Sequence, residues 1–353
     1  MFDWTLPVRT ERYIYERLDL RLDRVGGLAG VRSCKLDWSI YNTIRGSGDL
    51  SIETPERIEW AHTIIRPWVV VTNRSGREQI PLMTAACVVP DEAWASAGVQ
   101  VSVQLYDLTM WLDQWLLAEP YSLTAGTVIT SAIRAIFTSL GMAWLLDLTE
   151  SDAALASDRS WLPGEQDKVS WLRVVNDLLD AAGYFAVWCS PTGRFQCQPY
   201  RKPEGRLSTW RLADDRASHR YRNLAIKRGR PVTCNRWEFW SRSVDGSTPV
   251  QHVAVNEDPD HPYSVPGLNG RVVTDYRTDV EGDVAAKVVA ARAEAMADQS
   301  GFTLDARLLP VVEHEVVDLT HGPSGTATRA SVAGRSLTCK PGAPVALTLR
   351  RVL

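Results

Sequence analysis

Apolar positions recur at helical spacing in three stretches of the chain. In the clearest, residues 169–182, Val169, Leu172, Val175, Leu179 and Ala182 form a stripe widened by Trp171, Val174 and Leu178, as a helix seated on a sheet requires. Asp167 is placed to cap its start, and Gly183 stands where a left-handed C-terminal residue is wanted. Residues 184–189 then run extended into the turn formers Ser190, Pro191, Thr192 and Gly193, and residues 194–200 return as a second strand. A second helix puts Val128, Ala132, Ile136 and Leu140 on one face, with Ile129, Ile133 and Phe137 beside it; Ser122 or Thr124 caps it and Gly141 ends it. A third, alanine-rich helix over residues 283–300 turns Val284, Val288, Ala291 and Ala295 inward and covers one side or end of a sheet.

Elsewhere the period is two. Leu18, Leu20 and Leu22 alternate with charged residues before a Gly26-Gly27 turn; residues 33–44 follow, and Gly46-Ser47-Gly48 turns the chain into a strand begun by Leu50 and Ile52. Further strands are expected at residues 67–72, 79–89 and 99–106, with Asn73-Arg74-Ser75-Gly76 as a hairpin loop. Residues 1–107 thus read as a small antiparallel barrel. After an apolar connection, residues 108–117, the two helices and the hairpin make an α+β domain over 108–205, with the polar, acidic stretch 148–163 as its surface loop. Strands at 223–227 and 236–240, a long loop at 256–270, and strands at 303–308, 313–319, 327–333, 336–340 and 344–352 read as a second barrel over 206–353. The predicted class is α+β, mainly β: two small antiparallel β-barrel modules with an intervening helix-hairpin domain.

Composition narrows the function. The chain has 353 residues, 45% of them hydrophobic, enough for two to four domains. A net charge of -3 supplies no global basic field for nucleic acid. Residues 1–10 lack the pattern of a secretory signal, and no apolar run approaches the ~20 residues that span a bilayer. Six cysteines show no C-x-x-C pair, which argues against a zinc site or a disulfide framework. Cys189 and Cys197 face each other if the hairpin loop has three residues, whereas a two-residue loop sets Cys189 opposite Gln196. The 14 tryptophans fit either large permanent contacts or filler for β cores.

The phrase LLDAAGY followed by the hairpin W-C-S-P-T-G-R-F resembles the tail hub proteins of long-tailed bacteriophages, the minor tail proteins of siphophages, and so does L-D-W-S-I-Y-N-T-I-R-G-S-G-D-L near the start. The resemblance covers most of the chain in order. It implies a non-enzymatic structural protein, without cofactor or metal, that forms a homotrimeric ring at the virion tail tip after assembly in the host cytoplasm. Its two barrels would alternate around the ring and join a sixfold distal tail ring and tube to a threefold tip. The implied partners are other copies of itself, the distal tail protein, the tape measure protein and a tail fibre or receptor-binding protein, with genomic DNA only in transit. Many relatives carry a peptidase or lysozyme-like extension; this chain ends at Leu353 without one, so cell-wall digestion is not expected of it.

Candidate chemistry is sparse. Glu313, His314, Glu315, Asp318 and His321 are ligand types, but strand alternation would divide them between two faces. Gly322-Pro323-Ser324-Gly325 lacks the G-x-S-x-G of a nucleophile elbow, and the pairs Asp214-Asp215 and Asp258-Asp260 sit in loops that fix no carboxylate spacing. One charge feature stands out: Arg216, Arg220, Arg222, Lys227, Arg228, Arg230 and Arg236, with no acid between Asp215 and Glu238. Such a run suits a solvated edge guarded against wrong pairing, an acidic subunit partner, or a passage for DNA. A carbohydrate- or receptor-binding protein is the second functional expectation, and it requires several exposed tryptophans close together.

Overall fold

A computed structural model describes residues 2–54, 56–88, 90, 92–95, 98–164, 168–201, 203–214, 221–227, 234–242, 248–259, 264–280, 283–296 and 301–352. The chain divides into two compact units, one made of Met1–Leu224 with Thr303–Leu349, the other of Ala225–Phe302 with Arg350–Leu353.

The N-terminal strands are β1 (Thr10–Leu18), β2 (Arg24–Gly27), β3 (Val31–Ser39), β4 (Gly46–Thr54), β5 (Ile64–Asn73), β6 (Gly76–Pro81), β7 (Ala85–Cys87), β8 (Glu92–Ala95) and β9 (Gly98–Asp107). Two expected turns move. Leu20 and Leu22 do not extend a strand, because the Asp19 carboxylate accepts from the amides of Arg21 and Asp23 at 2.8 and 2.9 Å, and this local turn overrides the alternation. Gly46, Ser47 and Gly48 lie inside β4, and the reversal occurs before them, closed by the Ser39 amide on the Arg45 carbonyl. These glycines serve packing: a Cβ on Gly48 would sit 2.5 Å from the Lys35 carbonyl oxygen. The hairpin loop at Asn73–Gly76 stands where the sequence places it, while the expected strand 79–89 is interrupted between β6 and β7.

Next come α1 (Thr109–Gln114), β10 (Tyr121–Leu123), α2 (Ile129–Ser139), β11 (Leu146–Leu148), β12 (Arg159–Trp161), α3 (Trp171–Ala181), β13 (Trp188–Cys189) and β14 (Phe195–Cys197). In α3, Leu172, Val174, Val175, Leu178 and Leu179 are buried, each stabilising the fold by roughly 1.5–3 kcal/mol relative to exposure. Gly183 ends this segment at φ +71, as expected. The cap is Ser170, whose hydroxyl accepts from the Arg173 amide at 3.3 Å; Asp167 lies outside the described residues. On α2, Ala132 and Ile136 are buried with Ile129, Ile133 and Phe137 beside them, as expected, whereas Val128 is exposed and Leu140 half-buried at the two ends of the stripe. Val128 is the N-cap residue, without a side-chain cap bond. Ser122 instead sits in β10, its hydroxyl 2.8 Å from that of Ser160 in the partner strand β12. The stretch 148–163 is therefore not a plain surface loop: β12 pairs with β10, and Leu155 and Trp161 are buried.

The remaining strands are β15 (Trp210–Ala213), β16 (Tyr221–Lys227), β17 (Arg236–Ser241), β18 (Gln251–Val255) and β19 (Thr274–Val280), then, after α4 (Val284–Met296), β20 (Gly301–Ala306), β21 (Val316–His321), β22 (Thr326–Thr338) and β23 (Val345–Arg351). The strands after α4 do not build a second barrel with those before it. β22 pairs antiparallel with β3, Leu337 opposite Leu36, so both chain ends share one large sheet ordered β16-β20-β23-β22-β3-β4-β9-β7-β5-β1-β2. Among the described residues neither end of that order returns to the other, and no sheet closes into a barrel. Among the described residues the class is mainly β with four α-helices. In the second unit, β17 lies between β18 and β19, and Trp237 and Phe239 bury against Val284 and Val288 of α4.

Candidate functional site

The β13–β14 hairpin is the junction of the first unit. Cys189 pairs with Phe195 and Trp188 with Gln196, so a five-residue loop intervenes; Cys189 and Cys197 are not opposed, and both are free. The loop tip docks on the N-terminal strands. Arg66 Nη2 donates to the Thr192 carbonyl at 2.8 Å and Nε to Thr84 Oγ1 at 2.7 Å, while the Thr84 hydroxyl donates to the Pro191 carbonyl at 2.8 Å. Gly193, at φ +89, admits this approach, because a Cβ there would meet Leu22 Cδ1 at 2.8 Å.

The hairpin's aromatic side chains meet the segment before β21. The His314 ring lies 4.2 Å from Phe185 and 5.5 Å from Trp188, centroid to centroid, at φ +66. Arg45 Nη1 is 2.9 Å from His314 Nε2, and Arg206 donates to the His314 carbonyl. Burial, reinforced by Arg45 and Arg206, drives the imidazole pKa down to about 3. The ring is therefore neutral, accepting from Arg45 and packed against Phe185 and Trp188.

Its neighbours in sequence disperse. Glu313 lies 3.5 Å from buried Arg335; Glu315 accepts from the Trp210 indole at 3.2 Å; Asp318 lies 3.5 Å from Arg329; His321 Nδ1 is 2.7 Å from Ser324 Oγ. Glu313 to Glu315 precede β21 instead of lying on it, and among the described residues no three such groups converge. Arg335 also stacks on Trp38 at 3.9 Å and donates to the Val311 carbonyl at 2.6 Å. Nearby in sequence to α1, the buried Asp107 carboxylate accepts from the amides of Gly46 and Thr109 at 2.6 and 2.9 Å, yet burial still raises its pKa to about 6. The Arg66 clamp was not visible locally: the residues it joins lie 18 and 126 positions apart.

Of the remaining candidates, Gly322 to Ser324 form a short turn between β21 and β22, where the Gly322 amide donates to Asp214 at 3.0 Å. Asp215 and Asp260 lie outside the described residues. So do Arg216, Arg220, Arg228 and Arg230 of the basic run. Arg222 and Lys227 are exposed on β16, the terminal strand of the large sheet. Arg236 is spoken for, 2.8 Å from Glu238 within β17. Arg222 also lines a cleft of about 660 Å³ in the first unit, together with Arg9, Glu11, Asp305, Arg307 and the loop at 341–344. Among the tryptophans whose side chains are described, Trp115 and Trp144 are exposed, one following α1 and the other following α2. Indoles elsewhere are anchored to carboxylates: Trp68 to Glu16 at 2.6 Å and Trp161 to Asp177 at 2.8 Å. Among the described side chains, the adjacent exposed indoles that a sugar platform requires are not seen.

No family model matches the chain, and no curated protein matches it in sequence. Solved structures do. The tail protein from Neisseria meningitidis MC58 superposes with a TM-score of 0.67 at 13% identity, covering 96% of this chain and 96% of that one. The 43 kDa tail protein of prophage MuSo2 from Shewanella oneidensis gives 0.64 at 9% identity, over 96% and 97% of the two chains. Prophage tail protein gp18 from Listeria monocytogenes EGD-e gives 0.57 at 10% identity, over 96% and 94%. At such identities the likeness establishes the fold, along nearly the whole length of each chain.

Proposed function

We propose, from a fold shared end to end with prophage tail proteins, that this chain is a structural tail hub or tail-tip protein of a bacteriophage-like particle. The single observation that carries the reading is the 96% mutual coverage with the Neisseria tail protein, so the likeness extends along nearly the whole of each chain. Three copies form a ring that adapts the sixfold tube and distal tail ring to a threefold tip, and the tape measure protein and a fibre or receptor-binding protein dock on it. The work is geometric and non-catalytic. Its free energy comes from buried apolar area and complementary charge at ring-closing contacts.

Two surfaces suit such contacts. β16 ends the large sheet with Arg222 and Lys227 exposed, a basic edge for an acidic neighbour. In the second unit, Val253 and Tyr276 stand opposite Glu238 across the sheet and are 43% and 59% exposed. Gold-labelled antibody against the chain, imaged on negatively stained particles, tests the assignment: label at the distal end of the tube supports it, and label along the tube or at the capsid rejects it.

A further inference from the structure

We infer that Cys34 and Cys339 form an oxidation site: exposed to a small-molecule disulfide such as oxidised glutathione, they close into an intrachain bond that staples β3 to the end of β22. β22 and β3 run antiparallel with Thr338 opposite Lys35, and one further step places Cys339 opposite Cys34. The ladder continues across that step, since the Cys339 amide donates to the Cys34 carbonyl at 2.8 Å. Directly opposed antiparallel residues have Cα atoms roughly 4.5–5.5 Å apart. A disulfide spans about 4.4–6.8 Å. Directly opposed residues also send their side chains to the same face of the sheet, which sets the two thiols side by side. Both are free thiols here.

The two cysteines differ in access. Cys34 is 1% exposed, and its hydrogen bond with Cys339 together with burial holds its thiol pKa far above the ordinary value. Cys339 is partly exposed and is the point of entry. Its thiolate attacks one sulfur of the small disulfide, expelling one thiolate and leaving a mixed disulfide. Cys34 then attacks Cys339 Sγ, its proton passing to the second departing thiolate. The protein loses two protons and two electrons, and the small disulfide becomes two thiols. Because Cys34 holds its proton tightly, the second step is the slower one.

The test is incubation of the intact protein with oxidised glutathione, followed by thiol titration in denaturant and peptide mapping without reductant. The titre falls from six thiols to four, and the map contains one cross-linked species joining the Cys34 and Cys339 peptides. Cys189→Ser still loses two thiols, and Cys339→Ser forms no cross-link. An unchanged titre, a glutathione adduct that persists on Cys339, or a cross-link between any other pair overturns the inference. The wild-type map decides the matter even if a serine variant fails to fold.

Discussion

Arg66 Nη2 donates to the Thr192 carbonyl at 2.8 Å, binding the tip of the β13–β14 hairpin to a strand 126 positions earlier in the chain. The same guanidinium holds Thr84, whose hydroxyl reaches the Pro191 carbonyl. Charge-assisted bonds of this kind are worth about 1.5–3 kcal/mol each when one partner is removed. Arg66→Ala is expected to lower unfolding free energy by about 2–3 kcal/mol in urea titrations. Gly193→Ala attacks the same contact from the other side, through φ +89 and the Leu22 clash, and costs about 1–3 kcal/mol. The two should combine to less than their sum, since both free the same tip.

Gly48 offers a sharper contrast. A methyl group there meets the Lys35 backbone oxygen at 2.5 Å, and backbone in a paired strand cannot step aside. Gly48→Ala should cost about 3 kcal/mol or more, near the upper end for single substitutions. Gly205→Ala, with nothing within 4 Å of the added methyl, should change stability by less than about 0.5 kcal/mol. Thermal melts of the two variants against the parent check the difference.

Two buried groups set opposing dependences on pH. His314 is depressed from 6.5 to about 3, so the unfolded chain takes up a proton that the native one refuses, and stability is lost as pH falls from 6.5 toward 3. Asp107 is raised from 3.8 to about 6, so its contribution is present below 3.8 and lost as pH rises through 6. From these two groups the parent should lose stability between pH 6.5 and 6 and then change little down to 3.8. Asp107→Asn removes the opposing slope, leaving a decline of up to about 1.4 kcal/mol per pH unit through that window. Urea midpoints at half-unit steps for parent and variant measure it.

The basic residues should separate by position. Arg222→Glu with Lys227→Glu changes exposed side chains on a sheet edge, so stability should hold within about 0.5 kcal/mol while incorporation into particles falls. Arg236→Ala breaks a partly exposed pair with Glu238, worth about 0–1 kcal/mol, and should leave incorporation near the parent level. Complementation of a particle lacking the chain, scored by immunoblot of purified tails, reads both.

What the sequence made legible was local. The α3 stripe ends at Gly183, and Asn73 to Gly76 turn β5 into β6, because spacing and turn residues carry those decisions within a few positions. What it concealed depends on side-chain bonds and partners that periodicity does not show. Alternation at Leu20 and Leu22 looked like a strand, but the carboxylate of Asp19 captured two amides and bent the chain. The glycines at 46 and 48 looked like a turn, and only the close approach of Asp107 and Met83 to Gly46 and of the Lys35 carbonyl to Gly48 reveals them as packing residues. The strands after α4 had the right period, yet period says nothing of which strand lies beside β22; Leu36 and Leu337, three hundred positions apart, decide that. Of the candidate site, the basic run was visible as composition. The pairing of Arg236 with Glu238, and the Cys34–Cys339 contact, required the sheet to be assembled first.

The most direct test of the hub reading is a reconstruction of the particle's tail tip without imposed symmetry. The account predicts three copies of this fold in one ring at the distal end of the tube, meeting a sixfold ring on one side, with β16 facing a neighbour. Density for the fold in stacked tube rings, or a tip into which it cannot be placed, would contradict it.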